Sequence, residues 1–302
     1  MADDLLLDEE YVTKLVNSSA RYYLTHLLEI KGKKRKVHKP LPDICLLQYW
    51  VIENILSQAP TPARCATAYE KGSCILANAA VHKDNSHIMQ LDIKHFFDSI
   101  TSDMVFDYYI GLDARLSDAD ARALQRISTY RGTLTVGSPI SPFLANRIMI
   151  PVDIEIQECL PSGITYTRYS DDMCFSSPEF IEPQLIDAIQ EVLSRYSLRL
   201  NTAKTHFSGR GDRQKVTGVV LIAGGKLSLG SMRKSALKKM LYEFVRYGKG
   251  NPSKILGHIN FCKSIDPESV ESILMKYSTR GPAVELLKAA IARSESERIS
   301  EG

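Results

Sequence analysis

Apolar residues recur along this chain with two different periods, and the changes of period mark out its elements. Residues near 11 to 30 and 43 to 58 show helical spacing, and in the second stretch Leu46, Leu47, Trp50, Val51, Ile55 and Leu56 form an apolar stripe. Pro60 and Pro62 then break the pattern. His87 to Ile93 reads as a strand carrying an acidic residue, Asp92, near its end. Tyr166 to Phe175 alternates β-forming with polar residues on both sides of Asp171-Asp172, which predicts a β-hairpin with the Asp pair at its turn. Ser141-Pro142 signals a helix start, with Ser as N-cap and Pro at the first helical position. Leu144, Ile148 and Val152 continue that helix until Pro151 kinks or ends it. Phe180 to Leu193 reads as an amphipathic helix, Val216 to Ile222 as a strand, and Gly224-Gly225 as the turn into Lys226-Leu227-Ser228-Leu229. Met232 to Tyr247 carries Leu237, Met240, Leu241, Phe244 and Val245 on one helical face, with Arg233, Lys234, Lys238, Lys239 and Arg246 largely off it. Pro267 and Gly281-Pro282 punctuate two further C-terminal helices.

Composition changes this picture little. At 302 residues, with 44% hydrophobic and 24% charged residues, the chain is an ordinary globular protein of one large domain or two to three subdomains. The net charge of +3 is small, but its distribution is uneven. An acidic start (Asp3, Asp4, Asp8, Glu9, Glu10) gives way to a basic block at Lys31, Lys33, Lys34, Arg35, Lys36 and Lys39. Eight Lys or Arg and a single acid, Glu243, lie between Lys226 and Lys254. Clusters of this kind suit a phosphate backbone. The six cysteines are scattered without zinc-ligand spacing, and they read as free thiols. No basic leader and no apolar stretch of membrane-spanning length is visible, so a cytoplasmic location is expected, with no membrane partner.

The candidate chemistry lies in the acidic residues. An Asp between Leu91 and Ile93 is costly unless it is paired, hydrogen-bonded or metal-bound. Placing its strand beside the hairpin would bring Asp92, Asp171 and Asp172 to one point. Three carboxylates there could hold two Mg²⁺ ions for an in-line displacement at phosphorus. Asp98 is given a surface or turn role instead.

The order Asp92…Gly137-Ser138-Pro139…Tyr169-Ser170-Asp171-Asp172 resembles the palm motifs of reverse transcriptases. Two strings narrow the resemblance to bacterial retron enzymes. Asn78-Ala79-Ala80-Val81-His82 is similar to their Asn-Ala-x-x-His string, and Val216-Thr217-Gly218 is similar to their Val-Thr-Gly string. The resemblance implies an α+β, right-hand polymerase fold. Its parts would be an N-terminal helical region (1–60), fingers and a palm of antiparallel sheet and helices (61–225), and a basic helical thumb (226–302). It implies RNA-directed DNA synthesis with Asp92, Asp171, Asp172 and the backbone of Ile93 as metal ligands, two Mg²⁺ ions as cofactor and Mn²⁺ as a possible substitute. Phe97 would be a steric gate against the 2′-hydroxyl, and Lys71, Gly137, Ser138 and Lys204 would attend the nucleotide. Arg213, Val216, Thr217, Gly218, Arg233, Lys234, Lys238 and Lys239 would contact RNA, and Asn78 and His82, four apart on one helix face, would be structural or RNA-directed.

Three positions depart from the family's commoner pattern: Ser170 where Ala is usual, Val136 where Gln is common, and Ser73 where Arg is often found. None removes a proposed metal ligand. The implied partners are a cognate structured non-coding RNA, dNTPs, and a branched msDNA product begun from the 2′-hydroxyl of an internal guanosine. An anti-phage effector on a separate chain is expected as well. The competing expectations are another bacterial reverse transcriptase (group II intron-like or diversity-generating), an RNA-dependent RNA polymerase, and a non-catalytic RNA-binding scaffold.

Overall fold

The computed structural model describes residues 1–30, 32–112, 116–209, 211–222, 224–277 and 283–300. The side chains of residues 30, 33 and 293–300 are excepted. Lys31 of the basic block and the Gly281-Pro282 break lie outside the described residues. Contacts divide the chain into two compact units, 1–73 with 87–207, and 74–86 with 208–302. The boundary falls after Phe207 rather than at the expected 225, and a short earlier segment belongs to the second unit.

In the first unit, β3 (His87–Asp92) lies between β5 (Asp172–Ser177) and the short edge strand β6 (His206–Ser208), and β4 (Thr165–Tyr169) lies outside β5. The strands β3 and β5 are antiparallel, with Leu91 opposite Met173 and Asp92 opposite Asp172. Side chains alternate between the faces of a strand, so this register fixes which residues meet. Tyr166 stands opposite Phe175 in the β4–β5 pair, and their rings stack with centroids 4.8 Å apart. Met89, Leu91, Phe175, Tyr109, Leu144, Val152 and Ile189 share the core beneath them. The helix Leu185–Arg195 buries Leu185, Ile189, Val192 and Leu193, an i, i+4, i+7, i+8 stripe. It starts later than the pattern from Phe180 predicts, because Pro183 disfavours helical geometry in the residue before it.

The helix begun near Ser141 also needs correction. It runs Ile140–Ile148 from Pro139, and Ser141 lies inside it, its hydroxyl accepting the Thr135 N–H at 3.2 Å. The break before Pro151 is present, since a second helix spans Ile150–Cys159.

The expected helix over 11–30 is overturned beyond its first half. Glu9–Asn17 is helical, but β1 (Tyr23–Ile30) pairs antiparallel with β2 (Lys33–Pro40). Region 1–60 is therefore not wholly helical. Leu24, Leu27 and Leu28 mimic helical spacing, yet they remain 50%, 66% and 46% exposed. Their period reflected no buried face. The hairpin is held at its base: the His38 N–H donates to the Val136 carbonyl at 2.9 Å, and a Cβ on Gly137 would lie 2.7 Å from Val37. With φ at 106°, Gly137 is required by this close approach.

In the second unit the Val216–Ile222 stretch is a hairpin rather than one strand. The strands β7 (Lys215–Val216) and β8 (Val219–Ile222) are joined by Thr217 and Gly218, with φ of 45° and 86°. Two positive φ values are what a tight two-residue hairpin turn demands. The third strand, β9 (Lys226–Ser228), pairs with β8. Helices Gly230–Tyr247, Pro252–Lys263, Pro267–Lys276 and Ala283–Ser300 follow, so three rather than two succeed the basic helix. The extra start is the Asn251 cap, whose side chain accepts the Lys254 N–H.

Candidate active site

Three carboxylates converge where β3, β4 and β5 end. Asp92 is buried at the end of β3, Asp172 opens β5 directly opposite it, and Asp171 belongs to the turn between β4 and β5. One carboxylate oxygen from each lies within 4.8 Å of the other two. Among the described residues this is the one such grouping of acidic, His or Cys side chains. The Ile93 N–H donates to the Asp171 carbonyl at 2.9 Å, which turns the Ile93 backbone toward the hairpin.

The electrostatics favour a cation. Burial pushes the Asp172 carboxyl up to about 6, and the Asp171 and Asp92 charges add to this against Lys204. Burial and the Asp92 charge also raise Asp171, opposed by its own amide, Lys204 and the Ser170 hydroxyl. Hard oxygen donors strained by mutual repulsion fit a hard divalent ion. A raised carboxyl binds its proton more tightly folded than unfolded. The stability it lends is complete below its ordinary value of 3.8 and is lost as pH rises through about 6. The thermal midpoint in chelator should fall across that window, the fall should shrink in Asp172→Asn, and Mg²⁺ should restore the midpoint at neutral pH.

The hairpin is braced from below. Arg168 is fully buried, and its guanidinium grips fully buried Asp153 through Nε–Oδ1 at 2.8 Å and Nη2–Oδ2 at 2.7 Å. Its Nη1 donates to Asn146 Oδ1 and to the Ser170 carbonyl, each at 3.2 Å. Tyr166 OH donates to Asp153 Oδ1 at 2.9 Å. Asp92 is held as well: Asn201 Nδ2 donates to Oδ1 at 3.0 Å, and Lys204 Nζ bonds to Oδ2. Desolvation lowers the Lys204 pKa, but the Asp92 hydrogen bond and the three carboxylate charges outweigh it, and the net shift is upward.

The reverse transcriptase (RNA-dependent DNA polymerase) family matches residues 31–258 of this chain. The chain is 31% identical over 258 residues to the Retron Ec83 reverse transcriptase of Escherichia coli, covering 80% of this chain and 82% of that protein. The chain belongs to the retron reverse transcriptase family. The Retron Ec86 reverse transcriptase of Escherichia coli is 28% identical over 267 residues, 86% of this chain and 82% of that one. Among solved structures, apo telomerase from Candida tropicalis superposes with a TM-score of 0.51 at 10% identity, over 90% of this chain and 62% of the telomerase chain, a likeness of fold. This retron enzyme is thus an RNA-directed DNA polymerase with a mixed α/β polymerase fold. Among the described residues no helix is long and apolar enough to cross a membrane.

The structure sorts the other expected site residues. It brings Lys204 to Asp92, and it leaves Phe97 half-buried against Phe96, with ring centroids 5.4 Å apart. Lys71 is exposed on a turn closed by the Ser73 N–H to the Glu70 carbonyl. Ser138 is buried, and its hydroxyl donates to Gln48 Oε1 at 2.8 Å.

Several expected RNA contacts are also interior. Asn78, His82 and Val216 are buried, and burial pushes His82 down to about 4, leaving it neutral. Asn78 Nδ2 approaches Thr217 Oγ1 at 3.4 Å, and Thr217 Oγ1 donates to the Ile75 carbonyl at 3.2 Å. The Asn-Ala-x-x-His and Val-Thr-Gly strings are thus two halves of one joint. Arg233 Nη1 donates to the Gly218 carbonyl at 2.8 Å, and Lys234 pairs with Asp266 at 3.0 Å. Lys238 and Lys239 are exposed, Lys239 lying 3.9 Å from Glu243, and exposed Arg213 lies against Gly230.

Asn201, Arg168, Asp153, Asn146 and Tyr69 were missed in the sequence. The available signal was Arg168 inside the β-forming run Thr165–Tyr169, because a charge buried in such a strand requires a partner.

Proposed function

We propose that this retron enzyme copies a cognate structured non-coding RNA into branched msDNA, starting from the 2′-hydroxyl of an internal guanosine. The observation that carries the chemistry is the convergence of Asp92, Asp171 and Asp172 within 4.8 Å. Two divalent ions held by these carboxylates and the Ile93 carbonyl, Mg²⁺ by preference and Mn²⁺ as substitute, would supply activation of the attacking hydroxyl and charge neutralisation at the triphosphate.

The chain's own residues do the remainder. Asn201 orients Asp92 so that one carboxylate edge stays directed at the site. Lys204 occupies the other oxygen of Asp92 and keeps a positive charge beside the three carboxylates. With its side chain 50% exposed, it can swing to the leaving pyrophosphate when the carboxylates take up cations. Phe97 sets the sugar preference by filling the space a 2′-hydroxyl would need. Exposed Lys34, Lys36, Lys238 and Lys239 provide sequence-independent phosphate attraction.

An anti-phage role with an effector on a separate chain, as the retron resemblance implies, completes the reading. The test is to purify the protein from its native host and sequence the nucleic acid it carries. A branched RNA–DNA species with a 2′,5′ junction is the expected result. An unbranched cDNA, or RNA alone, would reject the retron-specific part, and a co-purifying protein would name the effector.

A further inference from the structure

Ser170 is the residue of the catalytic hairpin that departs from the family's commoner Ala. Its backbone takes φ of 62°, a left-handed conformation that serine seldom adopts, and the Arg168 guanidinium clamps its carbonyl. The serine is buried, and its hydroxyl lies 2.7 Å from the hydroxyl of Tyr69. Tyr69 also adopts a positive φ, 66°. It sits on a segment pinned to β4, where the Thr67 N–H donates to the Arg168 carbonyl at 2.8 Å and the Arg168 N–H to the Cys65 carbonyl at 2.7 Å. Asn146 Nδ2 holds the Ala68 carbonyl at 2.7 Å, and Arg147 pairs with Glu70 at 3.2 Å. The backbone on either side of Tyr69 is therefore fixed.

The ring is less constrained. It is 37% exposed, and its polar end is held by Ser170. Its face lies beside Phe97, with centroids 6.4 Å apart and planes tilted by 42°. Phe97 in turn leans on buried Phe96. A hydroxyl at the catalytic turn is thus connected through one tyrosine to the ring assigned as the sugar gate.

We propose that Ser170 is a positioning residue for sugar selection: its hydrogen bond holds Tyr69 as a wall behind Phe97, so that Phe97 cannot yield to a 2′-hydroxyl. The proposal rests on the reading of Phe97 as the gate. An alanine at 170 would leave the Tyr69 hydroxyl to water, and the ring, tethered only at its backbone, would gain rotamer freedom next to Phe97. The Arg168 clamp would stay, because it acts on the backbone of residue 170 and not on its side chain, while Asp171 would lose its contact with the Ser170 hydroxyl.

The test compares kcat/KM for a dNTP and its matching NTP on an RNA template in Ser170→Ala, Tyr69→Phe, the double variant and Phe97→Ala. Tyr69→Phe should keep DNA synthesis near the wild-type level, and both it and Ser170→Ala should raise NTP use relative to dNTP use about five-fold, the weight of one hydrogen bond. The change should lie mainly in the KM for the NTP. Because both variants delete the same bond, the double variant should exceed neither. Unchanged discrimination in an active single variant, parallel loss of both substrates in Tyr69→Phe, or additive effects on the discrimination ratio would overturn the proposal. If Phe97→Ala admits NTPs while the single variants do not, the inference fails and the gate stands. If Phe97→Ala still excludes NTPs, the gate assignment fails and the inference falls with it.

Discussion

Replacing Asp172 by Asn should reduce RNA-templated DNA synthesis by about 10³-fold or more, the scale set by removing one preorganised electrostatic group from a polar transition state. Asn is nearly isosteric and keeps a carbonyl oxygen, so the loss reads the charge rather than the shape. Asp172 stands opposite Asp92 across β3–β5, and its carboxyl is already pushed up by burial and by its two acidic neighbours. The apoprotein should therefore tolerate the change and gain thermal stability at neutral pH. Asp171→Asn should behave alike. Asp98→Asn is the control, since Asp98 is exposed on the short helix Phe96–Ser99, and it should leave synthesis intact. Single-turnover primer extension with the same RNA template measures all three.

The second large effect concerns stability. Asp153→Ala should cost about 3–5 kcal/mol, because it strands the buried Arg168 guanidinium without its counter-charge. It also removes the acceptor of the Tyr166 hydroxyl. Urea unfolding should show a lower midpoint with an unchanged slope. A double replacement, Asp153→Leu with Arg168→Met, should recover much of that loss, since a buried ion pair can often be exchanged for apolar packing. Activity should not recover with it. The Ser170 carbonyl would lose its Arg168 donor, and the turn carrying Asp171 would lose the clamp that holds its φ. Stability and catalysis should thus separate in one variant.

The site's acidic residues were legible in the sequence because Asp92 and the Asp171-Asp172 pair stand in family order with Gly137-Ser138-Pro139, whereas an Asp pair at a turn is by itself most often solvated. The β5 helix-side core was legible from the Leu185, Ile189, Val192 and Leu193 stripe. The hairpin of β1 and β2 was not, since Leu24, Leu27 and Leu28 carry helical spacing without burial, and the cross-strand pairing with Lys33–Pro40 overrides it. The two retron-type strings were legible as markers, with a structural and an RNA-directed role both open for Asn78 and His82. Their polar residues, Asn78 and Thr217, bond each other and the backbone inside the second unit. Short-range pattern cannot distinguish a polar residue that serves a ligand from one that secures a strained turn. The same limit hid the Tyr69–Ser170 bond, which joins residues 101 positions apart.

The proposal that Asp92, Asp171 and Asp172 form one divalent-cation site for DNA synthesis underlies all of these expectations. It is tested most directly by Mn²⁺ binding, followed by electron paramagnetic resonance, in the complex with primer–template and a non-hydrolysable dNTP. The wild-type protein should bind two ions per chain, and the Asp171→Asn, Asp172→Asn double variant should bind none at the same concentration while still binding the duplex. Equal Mn²⁺ occupancy in the two proteins would contradict the claim.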